Sequence, residues 1–290
     1  MPLALIDITP PSGIDLGFIT LGFYGVGFVL AAAVMILVSQ SEARRKGLDP
    51  GLVTSAIIVV AVFALVGARL YHVIDQWALY SSDPMRAVLP PYSGLGLYGG
   101  IIGAAVGIWV FLRGKDIPLG RALDVVVPGT LFAQGIARWG NFFNQELYGP
   151  PTDLPWGITI DAVHRAGTPW TDLALYPVAT TGFHPLFLYE SVLTITGGFV
   201  ALFVARHYSR RLRDGDMASF WMIWYGSVRL VLEVFRDGWN WTFLGIPVAM
   251  LIGIVLIAFG VGTATWRHRP GPTAGSMGKG PTPAAGEPSG

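Results

Sequence analysis

Arg138-Trp139-Gly140-Asn141-Phe142-Phe143-Asn144-Gln145-Glu146-Leu147-Tyr148-Gly149 closes one apolar segment, Pro118–Ala137, and opens a long loop. An arginine, two asparagines and a glutamate fall within nine residues, with a glycine on either side of the asparagines. An apolar segment that only has to reach water has no use for that set, and no packing requirement calls for it. The stretch therefore reads as functional. The apolar segment that delivers it recurs in kind along the chain, and that recurrence decides the fold class.

A membrane-spanning helix needs about 20 mostly apolar residues. Seven stretches meet that description: Leu16–Ser39, Leu52–Trp77, Leu95–Leu112, Pro118–Ala137, Pro185–Ala205, Met217–Phe235 and Phe243–Trp266. Composition agrees. The chain is 52% hydrophobic and 13% charged, with mean hydropathy +0.55, whereas a soluble domain carries about 25% charged residues. The expected fold is an all-α polytopic membrane protein with seven transmembrane helices over residues 16–266. The third span is rich in glycine (Gly94, Gly96, Gly99, Gly100, Gly103, Gly107), which predicts close helix approach or a broken helix lining a cavity. No internal repeat is visible, which argues against a transporter built from inverted halves. Zero cysteines exclude disulfides, thiolate metal sites and a cysteine nucleophile.

Lysine and arginine placement sets the orientation. Arg44, Arg45 and Lys46 follow the first span, and Arg113, Lys115 and Arg121 follow the third. Arg206, Arg210, Arg211 and Arg213 follow the fifth, and Arg267, Arg269 and Lys279 follow the seventh. These thirteen of the nineteen basic residues fall on alternate connections, which marks that side as cytoplasmic. Residues 1–15 are then an extracytoplasmic segment; they lack the basic n-region of a cleaved signal peptide. Residues 267–290 form a cytoplasmic tail whose Gly, Pro, Ser and Thr content predicts disorder. The 140–183 loop faces outward. It is too long for a plain turn and holds Trp156, Trp170 and Tyr176, so a small extracytoplasmic cap is expected.

Ionisable residues inside a bilayer cost roughly 2.5–3.5 kcal/mol each on insertion scales, so each is a functional candidate. Tyr225, Arg229, Glu233 and Arg236 make one helical stripe, and Arg69, His72 and Gln76 make another. With Tyr24, Arg138, Asn141, Glu146, His184, Tyr189 and Glu190, they occupy the outer halves of their helices. Arg229 lies about six residues, or roughly 9 Å, from its outer end. Asp124, near the inner end of the fourth span, is an exception that pairing with Arg121 would explain. A polar chamber with an arginine excess suits an anionic headgroup, because arginine binds phosphate bidentately and stays charged in low dielectric. Glu146, Glu190 and Glu233 would orient those arginines and neutralise them when the site is empty. Plainer readings stand beside these. Arg229, Glu233 and Arg236 also make a structural ion-pair ladder. His72 suits a hydrogen-bonded core position, His184 the start of a helix, and Arg86 and Arg165 the outer surface. No His/Glu/Asp spacing typical of a zinc site is present, so no metal or soluble cofactor is expected, and no nucleic-acid partner.

At these residues the chain resembles the prolipoprotein diacylglyceryl transferase family. The family signature is close to Gly-Arg-x-Gly-Asn-Phe-x-Asn-x-Glu-x-x-Gly, and only Ala137 departs from it, small for small. Further matches are Tyr24-Gly25, Gly67-Ala68-Arg69-Leu70, His184-Pro185 with Leu188-Tyr189-Glu190, and Tyr225-Gly226 with Arg229 and Glu233-Val234-Phe235-Arg236. The resemblance covers about residues 16–266. It implies an enzyme of the bacterial cytoplasmic (inner) membrane, with its active site toward the outer leaflet. Such an enzyme moves the diacylglyceryl group of phosphatidylglycerol onto the lipobox cysteine thiol of a preprolipoprotein and releases glycerol phosphate. By position it makes Arg138 and Arg229 the critical arginines and Tyr24 a functional tyrosine. Asn141, Glu146 and Gly149 match other signature residues, and Asn144, Arg69, His184, Tyr189, Glu190, Tyr225, Glu233 and Arg236 are candidates for substrate binding. One position departs seriously. Where several members place a histidine before the Gly-Gly of the third span, this chain has Tyr98-Gly99-Gly100, and a phenol with pKa near 10 is a poor base unless arginines lower it. Two rival readings use the same residues: an anionic-lipid transporter or flippase, and a non-catalytic lipoprotein-binding membrane protein. A transport pathway would need polar residues through to the inner side, where Asp124 is the sole hint.

Overall fold

The computed structural model describes residues 11, 13–17, 20–88, 94–236 and 242–269. Residues 1–10 and 12 of the expected N-terminal segment, and 270–290 of the expected tail with Lys279, lie outside the described residues. The protein is mostly helical. Its helices are α1 (Phe23–Arg45), α2 (Gly51–Asp75), α3 (Trp77–Tyr80), α4 (Leu97–Leu112), α5 (Leu119–Ala137), α6 (Trp139–Phe143), α7 (Leu186–His207), α8 (Asp216–Glu233) and α9 (Val248–Arg267). Four of them, α1, α2, α7 and α9, are long and apolar enough to cross a membrane among the described residues. α4 is apolar but shorter. Large apolar side chains such as Val29, Leu37, Ile58, Ile74 and Phe259 stand exposed along α1, α2 and α9. An exposed apolar surface of that extent is stable against lipid and not against water, and the chain is a polytopic membrane protein.

α5 is the hub. It packs against α1, α7 and α8, while α2 pairs with α4 and α8 with α9. Val127 and Leu131 of α5 join Ala201, Ala205 and Met217 in one core, and Val125 joins Ala43 and Val53 in another. α5 carries the buried Asp124 and the exposed Arg121, and α8 the buried Asp216 and Glu233 with the half-buried Arg229, which is why their sequences are less apolar than those of the helices around them. The glycines of α4 serve close approach, and α4 is unbroken. A Cβ on Gly99 would meet the Gly67 carbonyl, one on Gly103 the Phe63 carbonyl, and one on Gly107 would come within 3.0 Å of Val60 Cα.

Two expected helix starts are corrected. α1 begins at Phe23, not Leu16, because Gly13–Asp15 pairs antiparallel with Thr20–Gly22. The Asp15 carboxylate takes the Gly17 amide at 2.8 Å and Gly17 sits at φ 84, which turns the chain. α9 begins at Val248, not Phe243. Thr242–Phe243 pairs with Ile246–Pro247 through Leu244 and Gly245, both at positive φ (53 and 78), as a two-residue hairpin turn requires.

The basic connections that the sequence places on one side do gather at one end of the bundle. Arg206 and Arg45 share Glu42, at 2.9 and 2.7 Å. Asp124 does not pair with Arg121. It takes Lys46 at 3.2 Å and the backbone amides of Gly215 and Met217 at 2.9 and 3.0 Å, so it closes the start of α8 from a neighbouring helix. Arg121 instead meets Asp214 at 3.1 Å. Local i,i+3 spacing lost to amides that α8 leaves unsatisfied at its N-terminus.

Candidate active site

At the other end of α5 the chain does not leave the bundle at once. Arg138 keeps helical geometry (φ −62, ψ −22) and joins α5 to α6. The turn after α6 is held in an unusual backbone, with Gln145 at φ 48 and Leu147 at φ 56. Leucine rarely adopts that region, and such residues persist where surroundings over-determine them, often at functional sites. Here the surroundings are visible. The Gln145 amide donates to Asp161 Oδ2 at 2.7 Å and accepts the Asp161 amide at 2.8 Å, so one buried glutamine pins the signature stretch to the loop beyond it.

The polar residues of the stretch form one network. Asn141 accepts from Arg138 Nη1 at 3.3 Å and donates to Glu146 Oε1 at 2.9 Å, and Asn144 reaches the same oxygen at 3.4 Å. Asn141 thus connects the arginine to the glutamate, and the Glu146 carboxylate is spoken for within the loop. The other Arg138 nitrogen, Nη2, lies 2.7 Å from Glu190 on α7. Tyr225 of α8 reaches the same guanidinium.

α8 supplies the opposite wall. Arg229 and Glu233 lie on one face, but their contact is loose at 3.5 Å, and both buried Glu233 oxygens have no hydrogen-bond donor among the described residues. Arg236, just past the end of α8, interacts with Arg229, Glu233, Glu190 and Arg138. A narrow cleft results. It is lined by Arg138, Arg229 and Arg236 with Asn141 and Glu190, and floored by Leu147, Leu186, Phe187 and Leu232. Three guanidinium groups share the lining with one carboxylate, Glu190, and Glu233 lies beside Arg229, so positive charge is in excess within apolar walls. The cleft as it stands is small, about 10 Å³, and its guanidinium groups are the donors that an anion with several oxygen acceptors would use.

The remaining sequence candidates divide by location. The Tyr24 ring lies on Gly140, whose Cβ would strike it, and Phe23 stacks on Phe143 at 4.9 Å, so α1 presses on the signature turn. His184 Nδ1 and Tyr189 Oη are 3.1 Å apart, and Trp156 donates to the same hydroxyl at 2.8 Å. Gly149 enters as packing: a Cβ there would come within 2.9 Å of His184 Cβ and of the Phe235 carbonyl. Arg69 and Tyr98 lie elsewhere, on the α2–α4 pair. The Arg69 guanidinium donates to the carbonyls of Ala87, Gly94 and Arg86 at 3.0, 3.2 and 2.8 Å and lies over the Tyr80 ring. Tyr98, in the first turn of α4, packs on Tyr71 with ring centroids 5.9 Å apart. Neither Tyr24 nor Tyr98 is among the residues that line the cleft.

The 140–183 segment has a core of its own, built from Tyr148, Ile158, Ile160, Trp170 and Phe183 against Phe187. Arg165 is not an outer-surface residue. Its side chain is 0% exposed. It donates to the Ile160 carbonyl at 2.9 Å and the Tyr176 carbonyl at 2.6 Å and lies over Phe183 at 4.8 Å. Burial pushes the Arg165 guanidinium down and the Tyr148 phenol up from their ordinary values. A lone arginine among loop residues carries no sequence mark of burial, and Gln145 was missed for the same reason.

Residues 11–266 match the family described as prolipoprotein diacylglyceryl transferase. The chain belongs to that family. A phosphatidylglycerol–prolipoprotein diacylglyceryl transferase of Chloroflexus aggregans is 38% identical over 75% of this chain and 73% of its own. That of Synechococcus elongatus is 33% identical over 91% and 90%, and that of Lactiplantibacillus plantarum is 32% identical over 90% of each. The relatives are bacterial, and as a diacylglyceryl transferase family member the chain is a bacterial membrane transferase.

Proposed function

We propose that the protein transfers the diacylglyceryl group of phosphatidylglycerol to the lipobox cysteine thiol of preprolipoproteins, the first step of lipoprotein maturation. The observation that carries the reading is the convergence of Arg138, Arg229 and Arg236 on one narrow cleft, with Arg229 held loosely enough to turn to a ligand. The family and the names of its relatives support the substrates.

In this reading all seven long helices span the inner membrane. The N-terminus is outside and the C-terminus cytoplasmic, and the 140–183 segment is an extracytoplasmic cap. The cleft opens toward the outer leaflet, from which phosphatidylglycerol enters laterally. Arg138 and Arg229 hold its phosphate. The substrate thiolate attacks the glyceryl carbon; the carbon–sulfur bond forms as the carbon–oxygen bond to phosphate breaks. The guanidinium groups stabilise charge as it builds on the departing glycerol phosphate, the kind of preorganised term worth 10²–10³ in rate per donor. Arg236, Glu190, Glu233 and Tyr225 set the positions of the two clamping arginines. Asn141, Asn144 and Glu146 hold the signature turn, with His184, Tyr189 and Gly149 packed behind it. Tyr24 braces the turn from α1, and Tyr98 and Arg69 shape the α2–α4 side.

The test is transfer of labelled diacylglyceryl from phosphatidylglycerol to a lipobox peptide by the purified protein. Wild type transfers label; correctly inserted Arg229→Ala does not. Label that Arg229→Ala still moves at the wild-type rate defeats the clamp. Tyr98→Phe keeps the ring and removes the hydroxyl: a rate collapse assigns the phenol to the chemistry, and an unchanged rate assigns the proton to another group.

A further inference from the structure

A second cavity among the described residues lies away from the transferase cleft. It has a volume of about 260 Å³ and is lined by Arg45, Lys46, Arg121 and Arg213, with Asp124, Asp214 and Ser209 among the rest. Arg121 and Arg138 are seventeen residues apart on α5, roughly 25 Å along a helix at 1.5 Å per residue. That is close to the thickness of a bilayer's hydrocarbon core, so the cavity belongs to the opposite membrane face.

Four cations face two carboxylates across this lining, and both carboxylates already have a cation partner. Asp124 is consumed by Lys46 and two backbone amides. Asp214 meets Arg121 in a partly exposed pair. Glu42, which partners Arg45, is shared with Arg206. Arg213 is exposed, and its guanidinium makes no ion pair among the described residues. Orienting a chain in the bilayer needs basic connections, but it does not need them to converge from the end of α1, the start of α5 and the α7–α8 turn onto one cavity. Basic pockets between helices on this face hold phosphate-bearing headgroups in other membrane proteins.

We infer that this cavity is a second anion site, for a phosphate group, separate from the Arg138–Arg229 cleft. Lys46 and Arg121, fixed by their carboxylates, form its sides. Arg213 is the mobile arm that closes on the phosphate, and the Ser209 hydroxyl is placed to donate. The phosphate arrives either on an anionic phospholipid of the adjacent leaflet or free in solution.

Two measurements on the purified full chain in detergent distinguish the sources. Native mass spectrometry counts phosphatidic acid retained by wild type, Arg213→Gln and Arg121→Gln. The unfolding midpoint of the same three proteins is followed as inorganic phosphate is added. Both variants should fold, since the Arg213 guanidinium makes no ion pair among the described residues and the Arg121–Asp214 pair is half exposed; unfolding midpoints without ligand check this. Any lipid in the Arg138 cleft is common to all three proteins and cancels. The expected result is phosphatidic acid retention weakened about tenfold in each variant, the value of one charge-assisted hydrogen bond. A variant-sensitive phosphate stabilisation without that loss assigns the site to free phosphate. Equal lipid retention together with equal response to phosphate in all three proteins overturns the site. No transfer assay enters, so the outcome is independent of the proposed function.

Discussion

Replacing Arg138 by Gln separates what that residue does for the fold from what we propose it does for the reaction. Arg138 Nη2 is 2.7 Å from Glu190, with the arginine side chain 26% exposed and the glutamate 8%. Removing the cation leaves a buried carboxylate with Arg236 as its remaining charge partner. Breaking a buried pair costs 3–5 kcal/mol; a guanidinium one-quarter exposed brings that toward the low end, about 3 kcal/mol. The bond to Asn141 at 3.3 Å is long and adds little. Arg138→Gln should therefore lower the unfolding midpoint in detergent by several degrees and reduce transfer by 10²–10³. Adding Glu190→Gln removes the stranded charge. The double variant should regain most of the lost midpoint while transfer stays low, because the phosphate donor is still missing. Unfolding followed by intrinsic tryptophan fluorescence, beside the peptide transfer assay, reads both. A double variant no more stable than Arg138→Gln, or one whose activity returns with its stability, refutes the separation.

Other expectations follow from single contacts. Gly149→Ala places a methyl 2.9 Å from His184 Cβ and the Phe235 carbonyl; overpacking of this kind costs roughly 1–3 kcal/mol, and a lowered midpoint with the Arg138–Glu190 pair intact is the expected reading. Arg165→Met removes two charge-assisted donors from the buried Ile160 and Tyr176 carbonyls, about 3 kcal/mol in all; limited proteolysis should then cut within 150–183 well before it reaches the helices. Gly103→Val drives a side chain into the Phe63 carbonyl of α2 and should part α2 from α4, which crosslinking between cysteines introduced on the two helices would report as lost yield.

Much of the site was legible because its residues violate the habits of their surroundings. Arginines and glutamates in apolar segments are conspicuous, so Arg138, Glu190, Arg229, Glu233 and Arg236 could be picked out one helix at a time. Periodicity even set Arg229 and Glu233 on one face. What could not be read was pairing across helices. Arg69 shares the apolar context of Arg138 yet serves loop carbonyls, and Tyr98 takes its place beside Tyr71. Asp124 chose the lysine just past α1 and the amides at the start of α8 over the arginine three residues away. Arg165 and Gln145 hold the 140–183 segment together from ordinary loop sequence.

The sequence by itself determined the helices, the polar residues they carry and the connections on which basic charge collects, because apolar length and helical period are local properties of the chain. The tertiary structure alone decided which arginine meets which carboxylate. It set Glu190 at 2.7 Å from Arg138 and Glu233 at 3.5 Å from Arg229. That choice depends on ångström distances between segments far apart in sequence, and a buried charge is stabilised by the partner that reaches it in space, whatever its position along the chain.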